Sequence, residues 1–434
     1  MGMLTDMRTL SLCLFLGLVG VMDAPAQSKA NYDEAKIGDF PIPDPLLCED
    51  GSKVSTAEQW TQKRRPELMR AFEKEVYGKT PDVKPPALHF TPLAKSETVL
   101  GGRAVMTQTR ITFSDNPNPH IDVLLFLPAG RKHVPVFVSL NFGGNQSVAN
   151  IPSILMPGPE VWFRNNPKEG FVDSKATEQS RGTSDRRWPV EEIIARGYGV
   201  ATAYYGDIEP DRPDAFDASV RKLFQKAGQE KPADDDWGAI GAWAWGLSRM
   251  ADYLQTLPEV DGKKLAVLGH SRLGKTSLWA GAQDERFGIV ISNDSGCGGA
   301  ALSKRIFGET VGIINRAFPH WFCGNFKKYD DNEGALPIDQ HELIALIAPR
   351  PVHIASATED RWADPKGEFM GGKLAEPVYA LFGKKGLGVD APPPPDKSVG
   401  AAIGYHARTG VHDILLFDWE QYMDLADRTW GKPE

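Results

Sequence analysis

The sequence is poor in cysteine, four among 434 residues, and it lacks basic runs, internal repeats and any Cys/His cluster at metal-ligand spacing. Each absence excludes a class. A net charge of −8 without a Lys/Arg block argues against nucleic acid or an anionic lipid surface as partner. With no Cys/His ligand set, no P-loop and no G-x-G-x-x-G fingerprint, no metal or organic cofactor is expected. Long apolar runs are also scarce. The one candidate, Leu10 to Met22, falls short of the roughly 20 residues of a spanning helix. Arg8 precedes it and Ala24-Pro25-Ala26 follows. It therefore reads as a secretory signal over residues 1–26, with an A-x-A cleavage site, and predicts a secreted or periplasmic protein free of the membrane once the signal is removed. A membrane anchor is the alternative.

Removal of the signal leaves Cys48, Cys297 and Cys323, an odd set that cannot pair fully. Export permits a Cys297–Cys323 disulfide; three buried small hydrophobes are the alternative.

What is present fits one globular unit. Apolar residues make up 41% and charged residues 24%, and a chain this long buries a large core without staples. Residues 27–434 are expected to form a single domain, since no linker divides them, and a monomer is expected. After a Pro-rich lead-in with a helix near Thr61 to Val76, the segments Ala104 to Thr112 and Ile121 to Leu127 alternate like antiparallel strands. Val134 to Leu140 is solidly apolar, as suits a central strand buried on both faces. Tyr198 to Tyr205, Leu265 to Leu268, Phe287 to Ser292 and Val352 to Ser356 read as further strands. Helices are expected over Val190 to Ala195, Gly238 to Leu257, Thr276 to Ala282 and Trp419 to Thr429. Strands alternating with helices predict an α/β fold with a mostly parallel sheet between helical layers. Two polar insertions, Ile151 to Trp188 and Gly206 to Asp236, are long for a compact domain, and such loops are commonly functional.

The strongest local signal is Gly269-His270-Ser271-Arg272-Leu273-Gly274-Lys275, set between an apolar strand and a helix. A nucleophilic serine occupies such a strand-to-helix turn in α/β hydrolases. The turn demands small neighbours, and the helix N-terminus favours negative charge nearby. The second glycine lies one position later than in G-x-S-x-G. An ordinary turn with a capping serine is the alternative.

Serine needs a base, and the expected chain order is Ser, acid, His. Five histidines follow Ser271: His320, His341, His353, His406 and His412. His353 falls in a strand and His341 opens a helix. His412, in a loop after the last expected strand and before the last helix, is the favoured base, with His406 its competitor. Two carboxylates follow strands, Asp294 and Asp360. Either could orient the imidazole, either could instead cap a turn, and the choice stays open at this level.

Over most of the chain, and most densely from Trp237 to Trp430, the sequence resembles the glucuronoyl esterases of carbohydrate esterase family 15, of the bacterial type. Its Gly269 to Lys275 segment resembles the family's G-C/H-S-R-x-G-K nucleophile motif, which accounts for the displaced glycine. Asn293 to Ala300 resembles the family's acid-bearing loop. Fungal members place a glutamate at the Asp294 position, and many bacterial members an aspartate at the Asp360 position. The G-x-H-D segment with His412 matches the family's histidine. The resemblance implies an oxyanion-stabilising role for Arg272, a guanidinium adding charge where charge develops. It implies sugar-hydroxyl contacts for Lys275 and Glu309, and a face against the sugar ring for Trp362. The alternatives are a surface salt bridge, a helix-surface ion pair and one more core residue among eleven tryptophans.

The implied substrate is an ester of (4-O-methyl-)glucuronic acid, as between glucuronoxylan and lignin, cleaved by a Ser-His-Asp acyl-enzyme route. An acetyl xylan esterase or broad carboxylesterase is the rival activity, and a polysaccharide-binding hydrolase-fold protein that cleaves nothing is the rival outside enzymes.

Overall fold

The computed structural model describes residues 30–81, 87–113, 118–229 and 231–433; the expected signal lies outside them. Among these residues no helix is long and apolar enough to cross a membrane.

Among the described residues, eleven strands form one sheet. They are β1 His89–Pro92, β2 Glu97–Val99, β3 Ala104–Thr112, β4 His120–Pro128, β5 Val134–Asn141, β6 Gly199–Tyr204, β7 Val260–His270, β8 Phe287–Asn293, β9 Val352–Ala357, β10 Val399–Gly400 and β11 Ile403–Arg408. The spatial order is β1-β3-β4-β6-β5-β7-β8-β9-β11-β10, with β2 pairing β3. The run from β6 through β5, β7, β8 and β9 to β11 is parallel throughout. Antiparallel strands close both edges. This is the mostly parallel α/β arrangement that the sequence pattern predicts, in keeping with the α/β-hydrolase fold that the serine turn points to.

The solid apolar runs have a plain cause. Successive side chains of a strand point to opposite faces, and both faces here are covered. Val136 and Val138 of β5 join one core cluster, with Trp243, Leu278 and Trp279. Phe137 between them joins the other, with Ile193, Trp419 and Tyr422. Helices α1 Val190–Ala195 and α5 Leu416–Trp430 cover that second face; α2 Ala239–Leu254 and α3 Arg272–Gln283 cover the first.

Among the differences between the structure and the sequence pattern, three bear on the site. Helix α3 begins at Arg272, directly after the serine, rather than at Thr276. Helix α4, Pro365–Leu381, is not apparent in the sequence, because its glycines and an internal Pro377 hide the helical period. Strand β11 escapes the pattern because its apolar positions are interrupted by His406 and Arg408, which the core satisfies with partners of their own. Cys48, Cys297 and Cys323 are all buried free thiols.

Candidate active site

The strand-to-helix turn after β7 is built by exclusion of bulk. Ser271 adopts φ 58° and ψ −129°, a backbone that costs a non-glycine residue on the order of 1–3 kcal/mol. A Cβ on Gly269 would collide with the Leu273 carbonyl, and one on Gly274 would come within 3.0 Å of Ser295 Cβ and 3.1 Å of the Asn293 carbonyl. The late glycine therefore has a physical reason: it faces the end of β8. The Ser271 amide donates to Asn293 O at 2.8 Å, which fixes the turn against that strand.

The candidate residues converge because the parallel strands end together. Ser271 follows β7, Asp294 follows β8, Asp360 lies just beyond β9, and His412 lies beyond β11, four strands adjacent in the sheet. His412 Nδ1 donates to Asp360 Oδ2 at 2.6 Å. Asp294 Oδ2 lies 4.0 Å from the same nitrogen and accepts instead from the Asp413 amide at 3.2 Å. Burial, with the nearby charges of Glu368, Asp360 and Asp418, pushes the Asp294 carboxyl well above the usual range. The competing histidine, His406, points into the core, bonded to His353 and Asp418 at 2.9 Å each. Next to the serine, His270 packs 4.5 Å from the His412 ring, and burial holds it well below the ordinary histidine pKa.

The loop carrying His412 is clamped by a residue the sequence does not single out. Arg408 donates to the carbonyls of Thr409, Val411 and Asp413, and Asp418 accepts from its Nε at 3.0 Å. Glu368 performs a similar service beneath the acids. Its carboxylate accepts from Ser295 N at 2.7 Å, Gly296 N at 3.0 Å and Ser356 Oγ at 2.6 Å, tying the end of β8 to the end of β9. Burial pushes it up to about 7. Neither has a local sequence signature, since each acts across strands distant in the chain.

Arg272 is also held. Its guanidinium pairs with Asp211 and lies 4.7 Å from the centre of the Trp321 ring. Asp211 in turn accepts from His320 at 2.8 Å and from Trp321 at 2.7 Å. Burial acts to raise Asp211, but these donors and the Arg272 charge hold it below the usual carboxylate range. The salt bridge here is a restraint within the site, and the aspartate sits in an insertion where no motif marks it.

Lys275 and Glu309 form a pair at 3.4 Å with side chains only 5% and 7% exposed, unlike a helix-surface pair. Lys275 also donates to Ser295 O at 2.6 Å. Trp362 is 43% exposed, unlike a core tryptophan, and its carbonyl accepts from the Glu309 amide at 2.9 Å. These three therefore lie on one side of the serine, over β8 and β9.

Two groups among the described residues place His and carboxylate atoms within 4.8 Å of one another: Asp294, Asp360 and His412, and His120, Asp122 and Asp207. In the second group Arg110 grips Asp122 with two hydrogen bonds, at 2.7 and 2.8 Å, so that carboxylate is already balanced by a guanidinium. A cleft of about 710 Å³ by Phe216, Phe224 and Trp237 includes none of the candidate residues.

Comparison with known proteins gives the same direction throughout. The family profile described as glucuronyl esterase, fungi, matches residues 231–383. The carbohydrate esterase MZ0003, from an unknown prokaryotic organism, is 51% identical over 408 residues, which cover 93% of each chain. The solved structure of a glucuronoyl esterase from Solibacter usitatus is 47% identical, with a TM-score of 0.86 over 92% of this chain and 100% of that one. A 4-O-methyl-glucuronoyl methylesterase of Wolfiporia cocos is 28% identical over 79% of this chain and 72% of its own length.

Proposed function

Since this chain belongs to the glucuronoyl esterases of carbohydrate esterase family 15, and is thus a carboxylesterase, we propose that it hydrolyses esters of (4-O-methyl-)glucuronic acid, as in linkages between glucuronoxylan and lignin, by forming an acyl-enzyme on Ser271. The observation that carries this reading is the 2.6 Å bond from His412 to Asp360 beyond the ends of β9 and β11, with the His412 ring packed 4.5 Å from that of His270, the residue before Ser271.

The chemistry follows from that bond. With Nδ1–H held in its hydrogen bond to the Asp360 carboxylate, the second ring nitrogen of His412 keeps its lone pair and acts as base. It takes the Ser271 proton as Oγ attacks the uronate carbonyl. Backbone amides at the start of α3 and the guanidinium of Arg272 stabilise the oxyanion. The tetrahedral species collapses, and His412 returns the proton to the departing alcohol. Water then attacks the acyl-serine by the same route and releases the free uronic acid. Asp360 is the acid in this scheme; Asp294 holds the loop through the Asp413 amide. Lys275 and Glu309 offer donors and acceptors to sugar hydroxyls, and Trp362 offers a flat apolar face to the ring. The substrate being extracellular, the reading includes export through residues 1–26.

The direct test is hydrolysis of benzyl or methyl glucuronate by the native enzyme and by Ser271→Ala, with circular dichroism as a check of folding. The native enzyme is expected to release the acid and the variant to release none. A folded variant that keeps most of the activity would overturn the assignment.

A further inference from the structure

An ester lying over Ser271 directs its acyl group to one side of the serine and its alcohol to the other. The sheet order makes the two sides chemically unlike. Lys275, Glu309 and Trp362 occupy the β8–β9 side. On the opposite side, over the ends of β5 and β6, is a separate cleft of about 330 Å³ that includes Arg272 in its wall. On the reading given above, it is where the alcohol goes.

The lining of that cleft carries four guanidiniums, Arg164, Arg186, Arg187 and Arg272, against one carboxylate, Glu169. The carboxylates that balance three of these arginines do not face the cleft. Asp413 pairs with both Arg186 and Arg187, and Asp211 with Arg272; they are 6% and 3% exposed. Arg164 is exposed and makes no ion pair among the described residues. The cavity therefore presents cations outward and hides their counter-charges behind them. Beneath it Phe163 stacks on Tyr204 at 4.4 Å and on Phe171 at 5.2 Å between ring centres, all three rings buried, so the surface the cleft offers is mainly polar.

A neutral alcohol has no use for such a wall. Planar guanidiniums are matched to carboxylates, which they bind through paired N–H donors, and a partly enclosed site screens that attraction less than open water does. We infer that the alcohol side of this site selects alcohols that carry a carboxylate, with Arg164 as the residue free to engage it. The inference rests on the proposed uronate-ester activity and adds a preference for the other half of the substrate.

The test compares two synthetic esters of glucuronic acid, the benzyl ester and the 4-carboxybenzyl ester, which differ only in a remote carboxylate. The native enzyme is expected to favour the carboxybenzyl ester in kcat/KM by about fivefold at low salt, the size of one partly exposed ion pair. The preference should shrink in about 0.5 M sodium chloride. Arg164→Gln should bring the ratio towards one, and Arg164→Lys should restore part of it. Equal rates on both esters, or faster cleavage of the benzyl ester, would overturn the inference while leaving the uronate-ester activity standing. No cleavage of either ester would remove that activity and the inference together.

Discussion

Asp360 and His412 are joined by a 2.6 Å hydrogen bond between residues 52 positions apart in the chain. The relation exists because β9 and β11 are parallel neighbours that end at the same level, in register from Val352 opposite Ile403 to Ala357 opposite Arg408. The nearby Asp294 stays 4.0 Å from the imidazole and accepts instead, through the same oxygen, from the Asp413 amide. The two carboxylates, equivalent as candidates in the sequence, are thus unequal in space.

That inequality predicts unequal losses. Asp360→Ala should lower kcat by about 10³–10⁴-fold, since the imidazole loses its orienting partner. Asp294→Ala should cost far less, about tenfold, through a looser Asp413 amide. Steady-state kinetics on methyl glucuronate separate the two. Equal, slight losses would mean that neither carboxylate orients the base.

Arg272 is expected to act in the transition state. Arg272→Ala should reduce kcat by about 10²–10³-fold with little change in KM, as for loss of one oxyanion donor. Asp211→Asn should reproduce part of that loss, because the guanidinium then keeps its charge but loses its anchor. A rise in KM at constant kcat in either variant would assign Arg272 to ground-state binding instead.

The pairing of Lys275, Glu309 and Trp362 bears on substrate class. Methyl glucuronate should be cleaved with a higher kcat/KM than acetylated xylan, and Trp362→Ala should raise KM for the uronate more than it lowers kcat. A faster reaction on acetylated xylan would favour the rival esterase activity. Covalent labelling by a fluorophosphonate, lost in Ser271→Ala, distinguishes both from a protein that only binds polysaccharide.

Stability should depend on pH with a sign set by buried acids. Burial raises Glu368 from 4.5 to about 7, and Glu342 by the same cause to about 7. The folded state therefore binds more protons than the unfolded chain between these limits, and its stability falls as pH rises through that window. Buried His270, His341 and His353, all lowered by desolvation, oppose this in the lower part of the window, so the melting temperature should drop by only a few degrees between about pH 5 and about pH 8. Glu368→Gln, whose amide oxygen can still accept from Ser295 and Gly296, should flatten the decline. An unchanged slope in that variant would mean that Glu368 does not titrate in this range.

The site is only partly legible in the sequence. Gly269-His270-Ser271 stands out because a strained turn needs its glycines within a few residues, so local physics leaves a local mark. His412 is favoured by its place after the last expected strand, although the strand that delivers it, β11, is itself hidden by polar residues. Asp211, Arg408 and Glu368 leave no mark, because each acts on a group brought near by the fold.

The sequence by itself determined an α/β chain with a serine at a strand-to-helix turn, since apolar periodicity and turn chemistry are properties of neighbouring residues. Only the tertiary structure decided which carboxylate faces His412, how Arg272 is restrained and what lies on each side of the serine. Those outcomes depend on the order in which strands lie in the sheet, and strand order is set by packing between segments far apart in the chain.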